Sequence, residues 1–307
     1  VEKKSRINST PAPVPLADYR GVLVAVTGGT GFIGAHLARA LTAAGARVHL
    51  LNRPDFDLAR PDEAAKAVEN SGAAVVFHLA AAGVSDLFGA RAELSVNGRG
   101  TAALLEGSRR GGAERVVCFG TCFEYAPSQS PLTEDAPLAP CNPYAETKAA
   151  AFAAARAAVS EHGQDIVWLR PFAVYGPGQP SPKLIPSLIA ATLARRPLAL
   201  GSGVPAWDYV HVDDLVSAAL LLGTRPGAAR GVFNCGTGAA FSARRIAAMI
   251  EGQTGRKAQL DWGARPDRPG DPAFMAADAS RLRALGWRPH HDLAGGLAAL
   301  LAAESVA

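Results

Sequence analysis

The sequence predicts an α/β fold, a doubly wound parallel sheet followed by a smaller C-terminal lobe. Three observations carry that prediction. Apolar, β-branched runs alternate with Ala-rich helical stretches through the first half of the chain. The runs are almost continuously apolar, as strands covered on both faces require. Past Arg170 the rhythm breaks in "RPFAVYGPGQPSP", where Gly and Pro punctuate the chain.

The elements follow in order. Residues 22–27 ("VLVAVT") read as a buried strand and 32–44 as a helix ending near Gly45. Residues 47–51 are the next strand, and 61–70 a helix with Pro61 in its first turn. Strands are expected at 74–79, 115–119 and 165–169, with helices at 90–110 and 142–161. Strand–helix alternation of this kind builds a parallel sheet with helices on both faces. The predicted division is 1–20 as a flexible leader, 21–171 as the sheet domain, and 172–307 mainly as the second lobe, with some segments returning to the sheet.

Of the 307 residues 49% are apolar and 19% charged, which suits a protein with a sizeable core. Charges, Gly and Pro interrupt every apolar run before it reaches membrane-spanning length, so no membrane partner is expected. The net charge of +4 is spread along the chain rather than clustered, which argues against nucleic acid as a partner. Cys118, Cys122, Cys141 and Cys235 form no CxxC pair and have no His-rich cluster beside them. No metal is expected, and a reduced cytoplasmic setting is the simplest reading. The polar, Pro-rich start "VEKKSRINSTPAPVPLADYR" has no apolar core of a signal peptide.

The segment "VTGGTGFIGAHLA" links the first strand to the first helix, with Gly28, Gly31 and Gly34 three residues apart. Gly28 permits a tight turn, Gly31 lets a pyrophosphate approach the backbone at the helix N-terminus, and Gly34 lets the helix pack closely on the sheet. A lone Gly-rich turn has many uses, but a strand before and a helix after favour dinucleotide binding. At the end of the second strand, where an acid would hold the ribose of NAD, the chain has Asn52 and Arg53. A missing carboxylate removes repulsion from a 2′-phosphate, and a guanidinium can bind one. NADP(H) is therefore favoured, with NAD(H) as the alternative, and a solvated loop arginine as the plainer reading of Arg53. Asp57 can accept from an adenine amino group or cap the next turn.

Tyr144 and Lys148 in "NPYAETK" are i and i+4 on one helix face. An ammonium beside a phenol lowers the phenol's pKa, and a tuned phenol exchanges a proton with a carbonyl or alcohol. The strand "RVVCFG" delivers Thr121 to a strand's C-terminal end, where open α/β sheets bind their ligands.

With these residues go "TGGTGFIG", "HLAA", "VNGRGT", "GTCFEY", "LRPFAVYGPGQ", "DYVHVDDL" and "RPGD", in that order and spanning nearly everything after the leader. The chain resembles the extended short-chain dehydrogenase/reductases, particularly those acting on nucleotide-activated sugars. The resemblance implies a Rossmann-like sheet with a substrate-binding C-terminal lobe. It implies Tyr144 as acid/base, Lys148 on the nicotinamide ribose, and Thr121 bonded to the reacting oxygen. It places the dinucleotide against Gly28, Thr30, Gly31, Phe32, Ile33, Gly34, Asn52, Arg53, Asp57, Leu58, Leu79, Ala80, Ala81, Asn97, Tyr144, Lys148 and Pro171. The substrate would meet Ser85, Thr121, Cys122, Phe123, Tyr144, Ala173, Trp207 and Arg268. His78 reads as structural, and Asn97 has a structural alternative, bonding a backbone carbonyl. The resemblance also implies a homodimer through the helices at 90–110 and 142–161.

The departures from the family pattern matter. Sugar-nucleotide 4,6-dehydratases carry Asp-Glu after the Thr, whereas this chain has Cys122 and Phe123, and a Phe exchanges no proton. Glu124, one place on, points the other way along an extended segment and is a minor candidate. Trp207 stands where an arginine often binds the substrate diphosphate, while Arg268 remains. Ala173 stands where an Asn is frequent. The expected function is NADPH-dependent reduction of a nucleotide-linked keto sugar, with an NDP-4-keto-6-deoxyhexose as the expected substrate. The alternatives are an NAD-dependent nucleotide-sugar 4-epimerase and a non-catalytic dinucleotide-binding sensor.

Overall fold

The computed structural model describes residues 19–83, 96–224 and 229–304. Ser85 and the start of the helix expected at 90–110 lie outside the described residues. The central sheet is formed by β1 (Leu23–Thr27), β2 (Arg47–Leu51), β3 (Val75–His78), β4 (Arg115–Phe119), β5 (Ile166–Pro171) and β9 (Gly231–Cys235). Its order is β2-β1-β3-β4-β5-β9 and every pairing is parallel. Thr27 pairs with both Leu51 and His78, so the C-terminal ends of the first three strands are level. The chain steps outward from β1 to β2 and then crosses to β3 on the other side. That reversal opens a crevice above β1 and β3, the usual ligand position in such sheets.

Alternate strand residues serve opposite faces. Val24, Val26, Phe77, Val117, Val167 and Leu169 meet α1 (Phe32–Ala43) and α6 (Val212–Gly223) on one side. Ala25, Val76, Val116, Cys118 and Trp168 meet α2 (Pro61–Ser71), α3 (Val96–Arg110) and α4 (Pro143–His162) on the other. Tyr19 belongs to the first core: it is buried and its hydroxyl donates to the Leu220 carbonyl at 2.9 Å. Tyr19, placed in the leader expected over 1–20, is thus part of the packing, as a buried aromatic with a bonded hydroxyl must be.

β5 runs two residues beyond its predicted end, since Arg170 and Pro171 pair with Asn234 and Cys235 of β9. The remaining strands are β6 (Ala173–Tyr175), β7 (Pro197–Leu200), β8 (Ala206–His211), β10 (Ala240–Ser242), β11 (Gln259–Trp262) and β12 (Phe274–Met275). β8 is flanked by β10 and β12 and also pairs with β6, while β7 pairs with β11. A separate core joins Tyr175, Ile185, Leu188, Ile246, Ile250 and Leu297. It packs α5 (Leu184–Ala194), α7 (Ala243–Thr254) and α9 (Leu293–Glu304) together, with the short α8 (Ser280–Ala284) nearer β9. Among the described residues no helix is long and apolar enough to cross a membrane.

Candidate active site

The glycine loop lies at the crevice floor. Gly28 has φ +69°, and a Cβ there would sit 2.9 Å from the Ala80 amide nitrogen. The turn thus needs a glycine both for its backbone and for its contact with the segment leaving β3. A Cβ on Gly34 would lie 2.2 Å from the Gly28 carbonyl oxygen. The close packing expected of Gly34 is therefore against the loop itself rather than against the sheet. Gly31 is different: a Cβ would meet only the Gly28 oxygen, at 3.3 Å, so the space before it is open. Gly31 caps α1 without a side-chain bond, and no acidic residue lies in the first turn. The first-turn N–H groups of Phe32, Ile33 and Gly34 have no partner within the helix, and no acidic side chain of that turn opposes the helix dipole. Thr30 beside them is exposed.

At the end of β2, Asn52 Oδ1 is buried without a hydrogen-bond partner and Arg53 is exposed. Asp57 Oδ1 accepts from the Ala59 amide at 2.9 Å, so it caps the turn. The Leu58 side chain is buried in the core with Phe56 and Leu104. Leu79, Ala80 and Ala81 are partly exposed along the crevice. Thr27 and His78 brace them from below. Thr27 Oγ1 pairs with His78 Nδ1 at 2.9 Å and accepts from the Ala80 amide at 3.2 Å. His78 Nε2 reaches Thr101 at 3.0 Å.

Burial and the charge of Lys148 lower the His78 pKa from 6.5 to about 3. The folded ring takes its proton later than the unfolded ring, so stability is full above pH 6.5 and is lost as pH falls toward about 3. The full loss is on the order of 5 kcal/mol. Urea unfolding of the wild type and of His78→Gln over that range should show a shallower acid decline in the variant.

Asn97 ties three segments together. Its Oδ1 accepts from the Ala82 amide at 2.8 Å, and its Nδ2 donates to the Ala82 carbonyl at 3.1 Å and to Thr147 Oγ1 at 2.9 Å. The side chain is fully used in joining the end of β3 to α3 and α4. Sequence reading found the asparagine but not Ala82 or Thr147, which carry no motif signal of their own.

α4 begins at Pro143 with Asn142 as cap, its Oδ1 accepting from the Ala145 amide at 2.8 Å. Tyr144, Lys148, Ala151 and Ala155 form one buried stripe. Among the described residues neither the Tyr144 hydroxyl nor the Lys148 ammonium makes a hydrogen bond. Burial raises the Tyr144 pKa, and Glu124 and Cys122 raise it further. The lowering expected from Lys148 does not occur, for a geometric reason. The lysine runs under the helix toward Trp168, its Nζ 5.8 Å from the ring centroid, and faces Glu124, Cys118 and His78. Burial lowers its own pKa, and Glu124 opposes that.

Thr121 follows β4 and caps a 3-10 turn over Cys122–Glu124 that packs on α4. Its Oγ1 accepts from the Phe123 amide at 3.3 Å, and only 7% of the residue is exposed. Glu124 is fully buried and ion-paired to Arg170 at 2.8 Å. It therefore does not serve as the stray proton donor that its sequence position allowed.

Phe123 and Trp207 meet edge-on at 5.6 Å, with Trp207 Nε1 donating to the Pro272 carbonyl at 2.9 Å. These two rings join the β4 end to β8 beside Cys122, Phe172 and Met275. Ala173 is on β6, paired with Tyr209. Arg268 is exposed, in a turn closed by the Asp271 amide to its carbonyl, and its charge reaches Lys183. Pro171, at the end of β5, is paired into the sheet.

One titratable group escaped sequence reading. His211, Asp213 and His291 offer ligand atoms within 4.8 Å of one another. The two rings are stacked at 4.0 Å, and His211 Nδ1 already accepts from the Asp213 amide. Stacked rings run their in-plane lone pairs side by side, so this group is a packing contact around Asp213 and His36, which approach to 3.3 Å.

The sequence and the fold both have known relatives. UDP-glucose 4-epimerase of Azospirillum brasilense is 33% identical over 89% of this chain and 89% of its own length. dTDP-glucose 4,6-dehydratase of Streptomyces griseus is 33% identical over 90% and 92%. Among solved structures, MoeE5 in complex with UDP-glucuronic acid and NAD matches with a TM-score of 0.83 and 31% identity, covering 92% of this chain and 99% of that one. The model of the NAD dependent epimerase/dehydratase family matches residues 24–236. The chain belongs to that family, and it is an enzyme of the extended short-chain dehydrogenase/reductase type.

Proposed function

We propose that the enzyme reduces a nucleotide-linked keto sugar with NADPH, and that its substrate is an NDP-4-keto-6-deoxyhexose. The family includes nucleotide-sugar epimerases and dehydratases, and the observation that supports a reductase here is the end of β2. There Asn52 stands where a carboxylate would repel a 2′-phosphate, and Arg53 presents an exposed guanidinium that can bind one. The loop fits a dinucleotide as well, through the open space before Gly31 and the uncapped start of α1. Phe123, in place of an ionisable group, argues against loss of water.

When bound, the dinucleotide supplies the hydride. The protein's own residues do the rest. Tyr144, its phenol kept protonated by burial, donates a proton to the sugar carbonyl oxygen. Thr121 donates a hydrogen bond to the same oxygen and polarises it. Lys148, buried and without a hydrogen bond among the described residues, would hold the nicotinamide ribose. Phe123 and Trp207 wall the sugar, and Arg268 with Lys183 takes the diphosphate. Holding the partners side by side supplies much of the rate.

A second reading, 4-epimerisation with retained NAD, draws support from the Azospirillum relative. One experiment separates the two. The purified protein is denatured and any released dinucleotide identified. NADPH and an NDP-4-keto-6-deoxyhexose are then added and absorbance followed. A protein that releases none and oxidises one NADPH per ketone supports the reductase. Tightly held NAD with no net NADPH loss transfers the reading to an epimerase.

A further inference from the structure

Glu124 stands where several buried groups meet. Its Oε1 accepts from the Thr121 amide at 2.8 Å, and both carboxylate oxygens lie 3.2 Å from Trp168 Nε1. Arg170 Nε donates to its Oε2 at 2.8 Å. The Glu124 and Arg170 side chains are 0% and 1% exposed. The bond to Thr121 completes a reciprocal cap, because Thr121 Oγ1 accepts from within the same turn. One carboxylate therefore sets both the backbone and the hydroxyl position of Thr121. Lys148 lies against the same indole that bonds Glu124.

We propose that the buried Glu124–Arg170 pair is a positioning device, whose carboxylate fixes Thr121 and supplies the counter-charge for Lys148. The roles of Thr121 and Lys148 rest on the reading above.

Stability alone does not account for the pair. Buried ion pairs are commonly replaceable by apolar residues at no loss. Arg170 also leaves Nη1 and Nη2 without hydrogen-bond partners, between the rings of Tyr125 at 4.5 Å and Phe152 at 4.9 Å. The groups facing Lys148 from each packed element point the same way. His78 of β3 is neutral at ordinary pH, Cys118 of β4 has its thiol pushed up to about 12, and the Tyr144 phenol is protonated. Among the described residues that leaves Glu124 as the anion that opposes the effect of burial on the lysine.

Glu124→Gln alone strands the Arg170 charge in the core and can fail to fold. The test is therefore Glu124→Gln combined with Arg170→Met, in the full chain. The amide oxygen of the glutamine still accepts from Thr121, but the negative charge is gone. NADPH and NADH binding is followed by their fluorescence from neutral to alkaline pH, alongside cooperative thermal unfolding and turnover.

The expected double variant is folded and binds reduced dinucleotide at neutral pH within about threefold of wild type. Without its counter-charge Lys148 gives up its proton sooner, so binding should be half lost about one pH unit lower. Turnover at neutral pH, where the glutamine still holds Thr121, should stay within about threefold of wild type, and its alkaline fall should also come about one pH unit lower. A folded double variant whose binding profile superimposes on wild type overturns the proposal, and so does a double variant that does not fold. If the wild type leaves keto sugars unreduced, the reductase reading fails while the binding profile still decides the role of Glu124.

Discussion

Tyr144→Phe should lower turnover roughly 10²–10⁴-fold, the usual contribution of a positioned proton donor. Dinucleotide affinity should stay within about threefold of wild type. The ring sits on the buried stripe of α4 with 8% exposure, and phenylalanine fills the same space. The hydroxyl has no partner among the described residues, so its removal strands no buried group and the melting temperature should not change. Steady-state kinetics with NADPH and keto sugar, paired with a fluorescence titration of the dinucleotide, measures both quantities. A variant with near wild-type turnover removes Tyr144 from the mechanism. A variant that also loses dinucleotide binding makes the tyrosine a structural residue instead.

Asp208→Ala should give the largest loss of stability. Asp208 is fully buried in β8 and accepts from the Thr237 amide at 2.9 Å, the Thr237 hydroxyl at 2.7 Å, the Gly238 amide at 2.8 Å and the Ala277 amide at 3.1 Å. Alanine leaves four donors without an acceptor inside the protein. Each stranded buried group costs about 1–3 kcal/mol, and the costs of neighbours are not additive. A total of about 3–5 kcal/mol is expected, read from the urea midpoint at unchanged slope. Asp208→Asn keeps one accepting oxygen and should lose about half as much. Trp207 is the neighbour of Asp208 on β8, so the alanine variant should also weaken substrate binding, as a raised KM. A midpoint within the error of wild type would mean that water replaces the carboxylate.

Much of this molecule is legible in the chain because local rules agree with the global fold. The five sequential strands of the sheet and the helices between them follow from apolar runs, turn glycines and Pro61 and Pro143 at helix starts. The Gly28–Gly34 loop and the Tyr144–Lys148 spacing are short-range patterns, which a sequence displays directly. β9 is a different case. It joins the sheet beside β5 from far along the chain, and no local pattern announces which strand it will pair with. The same holds for Tyr19, whose burial depends on Leu220 and Phe77, and for the contact of Phe123 with Trp207.

By itself the sequence determined the dinucleotide-type loop, the sheet that carries it, and which side chains carry ionisable or polar chemistry. Periodicity and spacing act over a few residues, and those features need nothing more. Only the tertiary structure decided what each of those side chains does with its charge. Lys148 is four residues from Tyr144 yet turned toward Trp168, and the phenol is raised rather than lowered. Glu124 is committed to Arg170, Trp168 and Thr121 instead of standing free. Protonation and pairing depend on burial and on neighbours from other strands, and those are settled when the chain closes on itself.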